Sequence, residues 1–150
     1  MRLQKNTLLA LYSALEFAAQ PDRHIATAEI AEKYGASSHH LAKVLAELAR
    51  TGIVESVRGA GGGYRFAGNA KRLTLMDIIQ VFEEFSPAGG PRPPDAAAPV
   101  DLALRAVLSE IDEAARATFS SITLATMLRM IERLNGTHGR TRSTETGARP

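Results

Sequence analysis

The chain has 150 residues, a formal net charge of +2 and no cysteine. This length suits one domain, or a small domain with a helical extension, and an apolar fraction of 45% can supply a hydrophobic core. Without cysteine there are no disulfides, no catalytic thiolate and no zinc or iron–sulfur site with cysteine ligands. No apolar stretch is long enough to span a bilayer, and the N-terminus lacks the features of a signal peptide. We therefore expect a soluble, cytoplasmic protein with no membrane partner.

Charge is distributed unevenly along the sequence. Residues 1–72 hold ten Lys and Arg against six Asp and Glu, a formal charge of +4, whereas residues 73–135 hold five against nine, a charge of −4. A basic first half and an acidic second half fit nucleic-acid binding at one end of the protein and a different task at the other.

A helix–turn–helix pattern occupies the first fifty residues. Apolar residues at helical spacing predict one helix over residues 7–19 and a second over residues 28–33, with Thr27 as the N-cap of the second. A turn over residues 34–36 precedes a third, amphipathic helix from Ser38 to Arg50, for which Ser37 is the predicted N-cap. The third helix is expected to bury Leu41, Val44, Leu45 and Leu48.

The third predicted helix is the one that enters the DNA major groove in such an arrangement, and residues near its N-terminus reach the base edges. Adjacent histidines on a helix point about 100° apart, which makes them a poor chelating pair, so we expect no metal site here. The candidate DNA-binding residues on the solvent face of this helix are Ser38, His39, His40 and Lys43.

A glycine-rich hairpin follows directly, with predicted strands over residues 53–57 and 64–66. Four glycines lie within the five residues 59–63, where backbone with positive φ would allow a sharp turn. A P-loop requires Lys and Ser or Thr after its last glycine, and a dinucleotide-binding motif requires a further glycine and a helix there; this chain has neither. We interpret the hairpin as the wing of a winged helix–turn–helix; a plain tight hairpin without a ligand remains the alternative. The candidate DNA-binding residues of the wing are Arg58, Gly59, Gly61, Gly62, Gly63, Tyr64 and Arg65.

Helices are predicted again in the second half of the chain. A capping box at residues 74–77 opens a helix that we expect to continue through about Phe85. Residues 86–99 contain five prolines and two glycines and are predicted to form an exposed loop. A long helix is predicted from Asp101 to about Ser120, and a last helix, capped by Thr123, over residues 124–134.

The long helix carries an apolar stripe larger than a small winged domain needs for its own core. Burial of this stripe against a second copy would give a two-fold dimer that presents two recognition helices about one DNA turn apart, which matches a palindromic site. Packing within its own chain is the alternative. The candidate dimerisation residues are Leu104, Leu108, Ile111, Ala115 and Phe119.

These observations predict a mainly α-helical fold with a small β-hairpin wing: a winged helix–turn–helix over residues 1–85, a loop over 86–99, dimerisation helices over 100–134 and a disordered tail over 135–150. Such a protein is a sequence-specific DNA-binding regulator. A winged-helix module for protein–protein interaction is the alternative. No Ser/His/Asp set or carboxylate pair can be placed in a shared pocket by its spacing, so we do not expect an enzyme.

Several stretches of the chain match the pattern of one known family: Met1-Arg2-Leu3, residues 30–35, 38–45, 48–54 and 56–64, Leu73-Thr74-Leu75 and Thr123-Leu124. Over roughly residues 1–134, the chain resembles the Rrf2 family of bacterial transcription regulators. The resemblance implies a homodimer, most often a repressor, whose long C-terminal helices cross. It also implies that the third helix reads the major groove and that Arg58 enters the minor groove.

The chain departs from the family in its sensor region. Many members carry three cysteines before the long helix that bind an iron–sulfur cluster, but residues 87–99 contain none, and a histidine ligand of some members falls near Arg105. We therefore expect no cofactor. The chain is either a naturally cluster-free member or a variant in which alanine replaced the cysteines. The signal could be a small molecule near residues 86–99, a partner protein, or protein abundance alone.

Overall fold

The computed structural model describes residues 2–59, 63–84 and 98–142, with only the backbone described for residues 138–142. These residues form six helices and a small antiparallel sheet, so the predicted mainly helical fold is confirmed. None of the helices in these ranges is long and apolar enough to cross a membrane. The elements in chain order are α1 (Lys5–Ala19), β1 (Ile25–Ala26), α2 (Thr27–Lys33), α3 (Ser38–Arg50), β2 (Val54–Val57), β3 (Gly63–Phe66), α4 (Leu75–Phe82), α5 (Pro99–Ser121) and α6 (Leu124–Arg142).

The hydrophobic core is built around α1, which packs against α3, α4 and α6. Phe17 and Ala14 of α1 are completely buried, as is Leu124 at the start of α6. The apolar stripe of α3 is buried as predicted, and it fixes which face of that helix remains free. The four residues of this stripe are Leu41, Val44, Leu45 and Leu48.

Local signals in the sequence set both ends of α3. The Ser37 hydroxyl accepts a hydrogen bond from the backbone N–H of His40 at 3.1 Å, which confirms the predicted cap. Gly52 has φ of 79° after the last turn, a left-handed conformation that favours glycine. The N–H of Ile53 donates to the carbonyl of Leu48 at 3.1 Å, which satisfies an end carbonyl of the helix. Helix α3 therefore has the predicted bounds, Ser38–Arg50.

The start of α2 differs from the prediction. Thr27 is the first residue of the helix rather than its N-cap, and Ala26 holds the cap position without a side-chain hydrogen bond. The physical reason is that Ile25 and Ala26 pair with β3, opposite Tyr64 and Gly63. The extended backbone of β1 passes directly into α2, and the sheet order is β1-β3-β2.

Residues 70–75 join the winged domain to α6. Thr74 and Asp77 form the predicted capping box of α4, with Thr74 Oγ1 accepting from the Asp77 N–H at 3.2 Å and Asp77 Oδ2 accepting from the Thr74 N–H at 2.8 Å. The Leu75 N–H donates to the carbonyl of Ile122 and the Leu124 N–H donates to that of Leu73, both at 2.9 Å. Backbone hydrogen bonds therefore fix the start of α6 against the start of α4.

Three predicted boundaries are wrong. Helix α4 ends at Phe82 because Glu83 adopts an extended backbone, and its carboxylate bonds to the first turn of α1. Helix α5 begins earlier than expected, with Pro99 in its first turn, where the missing N–H costs nothing. Helix α6 continues through Gly136 to Arg142, so residues 135–142 are not a disordered tail. The predicted loop over residues 86–97, Phe85 and residues 143–150 lie outside the described residues.

Candidate nucleic-acid interface

Helix α3, the predicted recognition helix, presents an exposed polar face beside a buried apolar one. Ser38, His39 and Lys43 are exposed, as predicted. Helix α1 and the sheet hold α3 from behind, since Leu41, Leu45 and Leu48 are completely buried. The N-terminal part of α3 therefore presents polar and basic side chains away from the core.

His40 is placed differently from its neighbours. It is half-buried, and its Nε2 atom has no hydrogen-bond partner among the described residues. It lies at a cleft of about 410 Å³ that is also lined by Asn6 of α1 and Phe82 of α4. The expectation that His40 belongs to the free face of α3 is therefore wrong, because it lies about 100° around the helix from His39, on the side of α1 and α4. Its part in DNA binding stays a prediction.

A third strand, which the sequence analysis missed, supports the wing. Gly63 is buried against β1: a Cβ atom on this residue would lie 2.5 Å from the carbonyl oxygen of Ile25 and 3.0 Å from the Cα of Ala26. The close packing of two backbones, rather than a positive φ, is why glycine is required here. Gly59 is exposed and its backbone φ is not positive, and Gly61 and Gly62 lie outside the described residues. A two-residue strand is too short to reveal itself by periodicity.

The predicted aromatic and basic residues of the wing have different surroundings. Tyr64 is half-buried and packs against the hydrophobic core. Arg65 lies opposite Glu55 on the neighbouring strand and forms an ion pair with it. The hydrogen bond to Glu55 raises the pKa of the Arg65 guanidinium above its ordinary value. Arg58 is exposed and forms no hydrogen bond or ion pair with any residue that the structure describes.

On α3 and the wing, two positively charged side chains have no ion-pair partner among the described residues. Helix α3 and the wing carry four cationic side chains, of which Arg50 pairs with Glu47 and Arg65 with Glu55. Lys43 and Arg58 have no acidic partner in the described parts of the chain. Both ion pairs are exposed and contribute little to stability, so a phosphate could displace either carboxylate. Lys43 and Arg58 can contact a DNA phosphate or enter a DNA groove without first breaking an ion pair.

Helix α5 projects from the winged domain and has no buried residue. Of the predicted dimerisation residues, Leu104, Leu108 and Ile111 are exposed by 58%, 49% and 57%. Ala115 is half-buried. Phe119 is half-buried and packs against the core of its own chain, so the stripe changes along the helix from an exposed apolar face to an internal contact.

The family resemblance raises the question of an iron–sulfur cluster, and the donor set of this chain does not fit one. The sequence contains no cysteine to supply thiolate ligands. The described residues contain no group of three or more His, Asp or Glu that could hold a metal ion. The Arg105 guanidinium, near the position of a histidine ligand in some relatives, donates to Asp101 at 2.8 Å.

Known proteins support the same assignment from sequence and from fold. The family model described as Rrf2, iron-dependent transcriptional regulator, matches residues 3–130. A Rhodopseudomonas palustris protein named HTH-type transcriptional regulator BadM is 49% identical over 135 residues, covering 88% of this chain and 84% of that protein. CymR, the global cysteine regulator of B. subtilis, superposes with a TM-score of 0.70 at 25% identity, covering 87% of this chain and 98% of CymR. IscR of T. potens gives 0.66 at 26% identity, covering 89% of this chain and 90% of IscR. Members of this family are transcriptional regulators and not enzymes, and this chain belongs to the Rrf2 family.

Proposed function

We propose that this regulator is a homodimeric repressor that binds an inverted-repeat operator in the cytoplasm without a cysteine-ligated cluster. The observation that carries the proposal is the exposed apolar face of α5, which no other residue that the structure describes covers. Its large apolar side chains recur at spacings of three and four residues, and they are about half exposed or more: Leu104, Val107, Leu108 and Ile111. Full burial of one valine, leucine or isoleucine side chain contributes about 1.5–3 kcal/mol, so leaving these four half exposed is costly.

A second copy of α5 is the occupant that fits this face. A helix of 23 residues is about 34 Å long, which is close to one turn of B-DNA. In a two-fold dimer the same apolar face serves both subunits, and the two winged domains lie at opposite ends of the interface. The geometry supports recognition of two half-sites related by inversion.

Each winged domain would contact one half-site through two elements. Ser38, His39 and Lys43 at the start of α3 are available to base edges and phosphates in the major groove. Arg58, which has no acidic partner among the described residues, would enter the flanking minor groove, where a narrow groove concentrates negative potential. Repression would follow from occupation of a promoter by this dimer.

The experiment is selection of bound genomic fragments by the purified protein. We expect an enriched inverted repeat, bound at least 10³-fold more tightly than random DNA at physiological salt. The matched control is the double variant Lys43→Ala, Arg58→Ala, which keeps the core and should not enrich the repeat. Enrichment of direct repeats or single half-sites would contradict the dimer. Absence of any enriched sequence would contradict specific DNA binding by the protein alone.

A further inference from the structure

A cleft of about 550 Å³ lies between α1, the end of α2 and α6. Tyr12 of α1 and Tyr34 at the end of α2 form one wall, and their rings stack at a centroid distance of 4.8 Å and an interplanar angle of 7°. Leu128 and Ile131 of α6 form the facing wall. A cleft of this size, with an aromatic wall, an apolar wall and a few polar groups, has the properties of a small-molecule site.

Three polar side chains of the cleft, those of Glu16, Lys33 and Tyr34, are held by hydrogen bonds to one another. Oε1 of Glu16 accepts hydrogen bonds from both the Lys33 ammonium and the Tyr34 hydroxyl. Burial opposes ionisation of Glu16, but these two hydrogen bonds outweigh it and lower the pKa of the carboxyl. Burial, together with the hydrogen bond to Glu16, raises the pKa of Tyr34, so its hydroxyl keeps its proton. Oε2 of Glu16 accepts no hydrogen bond within the part of the chain that the structure describes.

The charge of the cleft decides which ligands fit. Glu16 and Lys33 are in contact and their charges cancel, so the described lining of the cleft holds no uncompensated charge to pair with an ionised ligand. A neutral ligand needs no such counter-charge. Flat rings pack well against stacked tyrosines, and an N–H or O–H group on the ring would satisfy the open Oε2 atom.

We propose that this cleft binds a neutral aromatic compound with a ring-bound N–H or O–H donor, of the indole or phenol type. The cleft also has a regulatory position. Tyr34 directly precedes Gly35 and the turn that leads into α3, while the opposite wall belongs to α6. A bound ring would fix the helix–turn–helix relative to the C-terminal helices and thereby change the spacing of the two recognition helices. This regulatory step, unlike the binding itself, rests on the proposed function.

Calorimetric titration of the full chain with indole tests the site without DNA. We expect saturable binding with a Kd below about 1 mM, and at least tenfold weaker binding of benzoate, benzylamine and cyclohexanol. Tyr12→Ala should weaken indole binding at least tenfold, because it removes one of the two rings of the aromatic wall. Tyr12 is 42% exposed, so its loss should leave the core intact. Leu8→Ala, an exposed residue of α1 outside the cleft, is the control and should bind as the wild type does.

Three results of the titration would overturn the proposed site. No saturable binding of indole or phenol, binding unaffected by Tyr12→Ala, or preference for a charged ring overturns the proposed site, whatever the protein does with DNA. If Tyr12→Ala lowers the melting temperature, Tyr12→Leu replaces it, since leucine fills the wall but cannot stack. Saturating indole should change operator affinity at least fivefold in the wild type and not in Tyr12→Ala. Binding of indole with unchanged operator affinity would overturn the regulatory step and leave the site.

Discussion

Glu83 joins the end of α4 to the beginning of α1, and its removal should be costly. Its carboxylate accepts from the Gln4 backbone N–H at 2.7 Å, from Gln4 Nε2 at 3.2 Å and from the Thr7 hydroxyl at 2.6 Å. The variant that tests this contact is Glu83→Ala. Helix α1 has no side-chain cap of its own from Gln4, so a residue 79 positions away supplies the acceptor at its N-terminus.

The magnitude follows from the burial of the three donors. Thr7 is completely buried, so its hydroxyl would lose its acceptor without gaining water, which costs about 1–3 kcal/mol. The two Gln4 donors are exposed and water can replace the carboxylate, so together they add about 0.5 kcal/mol. We expect Glu83→Ala to lower the free energy of unfolding by about 1.5–3.5 kcal/mol, equivalent to a fall in Tm of about 3–14 °C.

The assay is urea denaturation followed by circular dichroism, at one fixed protomer concentration because a dimer is more stable at higher concentration. Glu84→Ala is the matched control: it removes the same charge from an exposed neighbour and should change stability by less than about 0.5 kcal/mol. Glu83→Gln keeps an acceptor for Thr7 and should cost about half as much as Glu83→Ala. A double-mutant cycle with Thr7→Val should give a coupling energy of about 1 kcal/mol or more. The reasoning is refuted if Glu83→Ala and Glu84→Ala are equally stable.

Four further predictions concern the interface, the wing, the dimer and pH. Arg58→Ala should weaken operator binding by about 1–3 kcal/mol in a gel-shift titration, whereas Arg65→Ala, which removes an ion-paired side chain, should cost less; the reverse order would contradict the assignment. Gly63→Ala would push a Cβ against the β1 backbone, so it should weaken operator binding and broaden the amide signals of β1 and β3 in NMR spectra; an unchanged spectrum would contradict the close packing. Ile111→Glu should sediment as a folded monomer, and a stable dimer of that variant would move the interface elsewhere. Burial opposes ionisation of Glu16, but its hydrogen bonds outweigh burial and lower the pKa of the carboxyl from 4.5. The stability that the ionised Glu16 contributes is therefore full above about pH 4.5 and is lost as the pH falls below that value. Glu16→Gln should therefore lie furthest below the wild type in urea stability near neutral pH and approach it at acid pH, and a difference independent of pH would contradict this.

The parts of the fold that could be predicted are those with local causes. The bounds of α3 follow from the Ser37 cap and from Gly52, and the start of α4 follows from the reciprocal bonds of Thr74 and Asp77. Each signal lies within a few residues of the feature it determines. The apolar stripe of α3 is equally local, since helical periodicity alone identifies its buried face.

The parts that could not be predicted depend on contacts between distant residues. The end of α4 is set by a bond from Glu83 to the first turn of α1, and no window around Glu83 contains that information. Strand β1 forms because Ile25 finds Tyr64 as its partner. The cleft against α6 combines Tyr12 with Tyr34, which are distant in the sequence. The local sequence indicates only that Tyr12 and Glu16 share one face of α1. His40 could not be assigned because it lies at the edge of the buried stripe, where the neighbouring helices decide whether a side chain is covered.

Hydroxyl-radical footprinting of the wild-type protein on its selected operator tests the central claim most directly. Two recognition helices held by paired α5 helices should protect two half-sites whose centres lie about 34 Å apart on one face of the duplex, each with a protected minor groove beside it. The minor-groove protection should disappear in Arg58→Ala, while the sugars beside the phosphates that α3 contacts should stay protected. A single protected half-site, or protection that moves continuously along the DNA, would contradict a dimer that reads an inverted repeat.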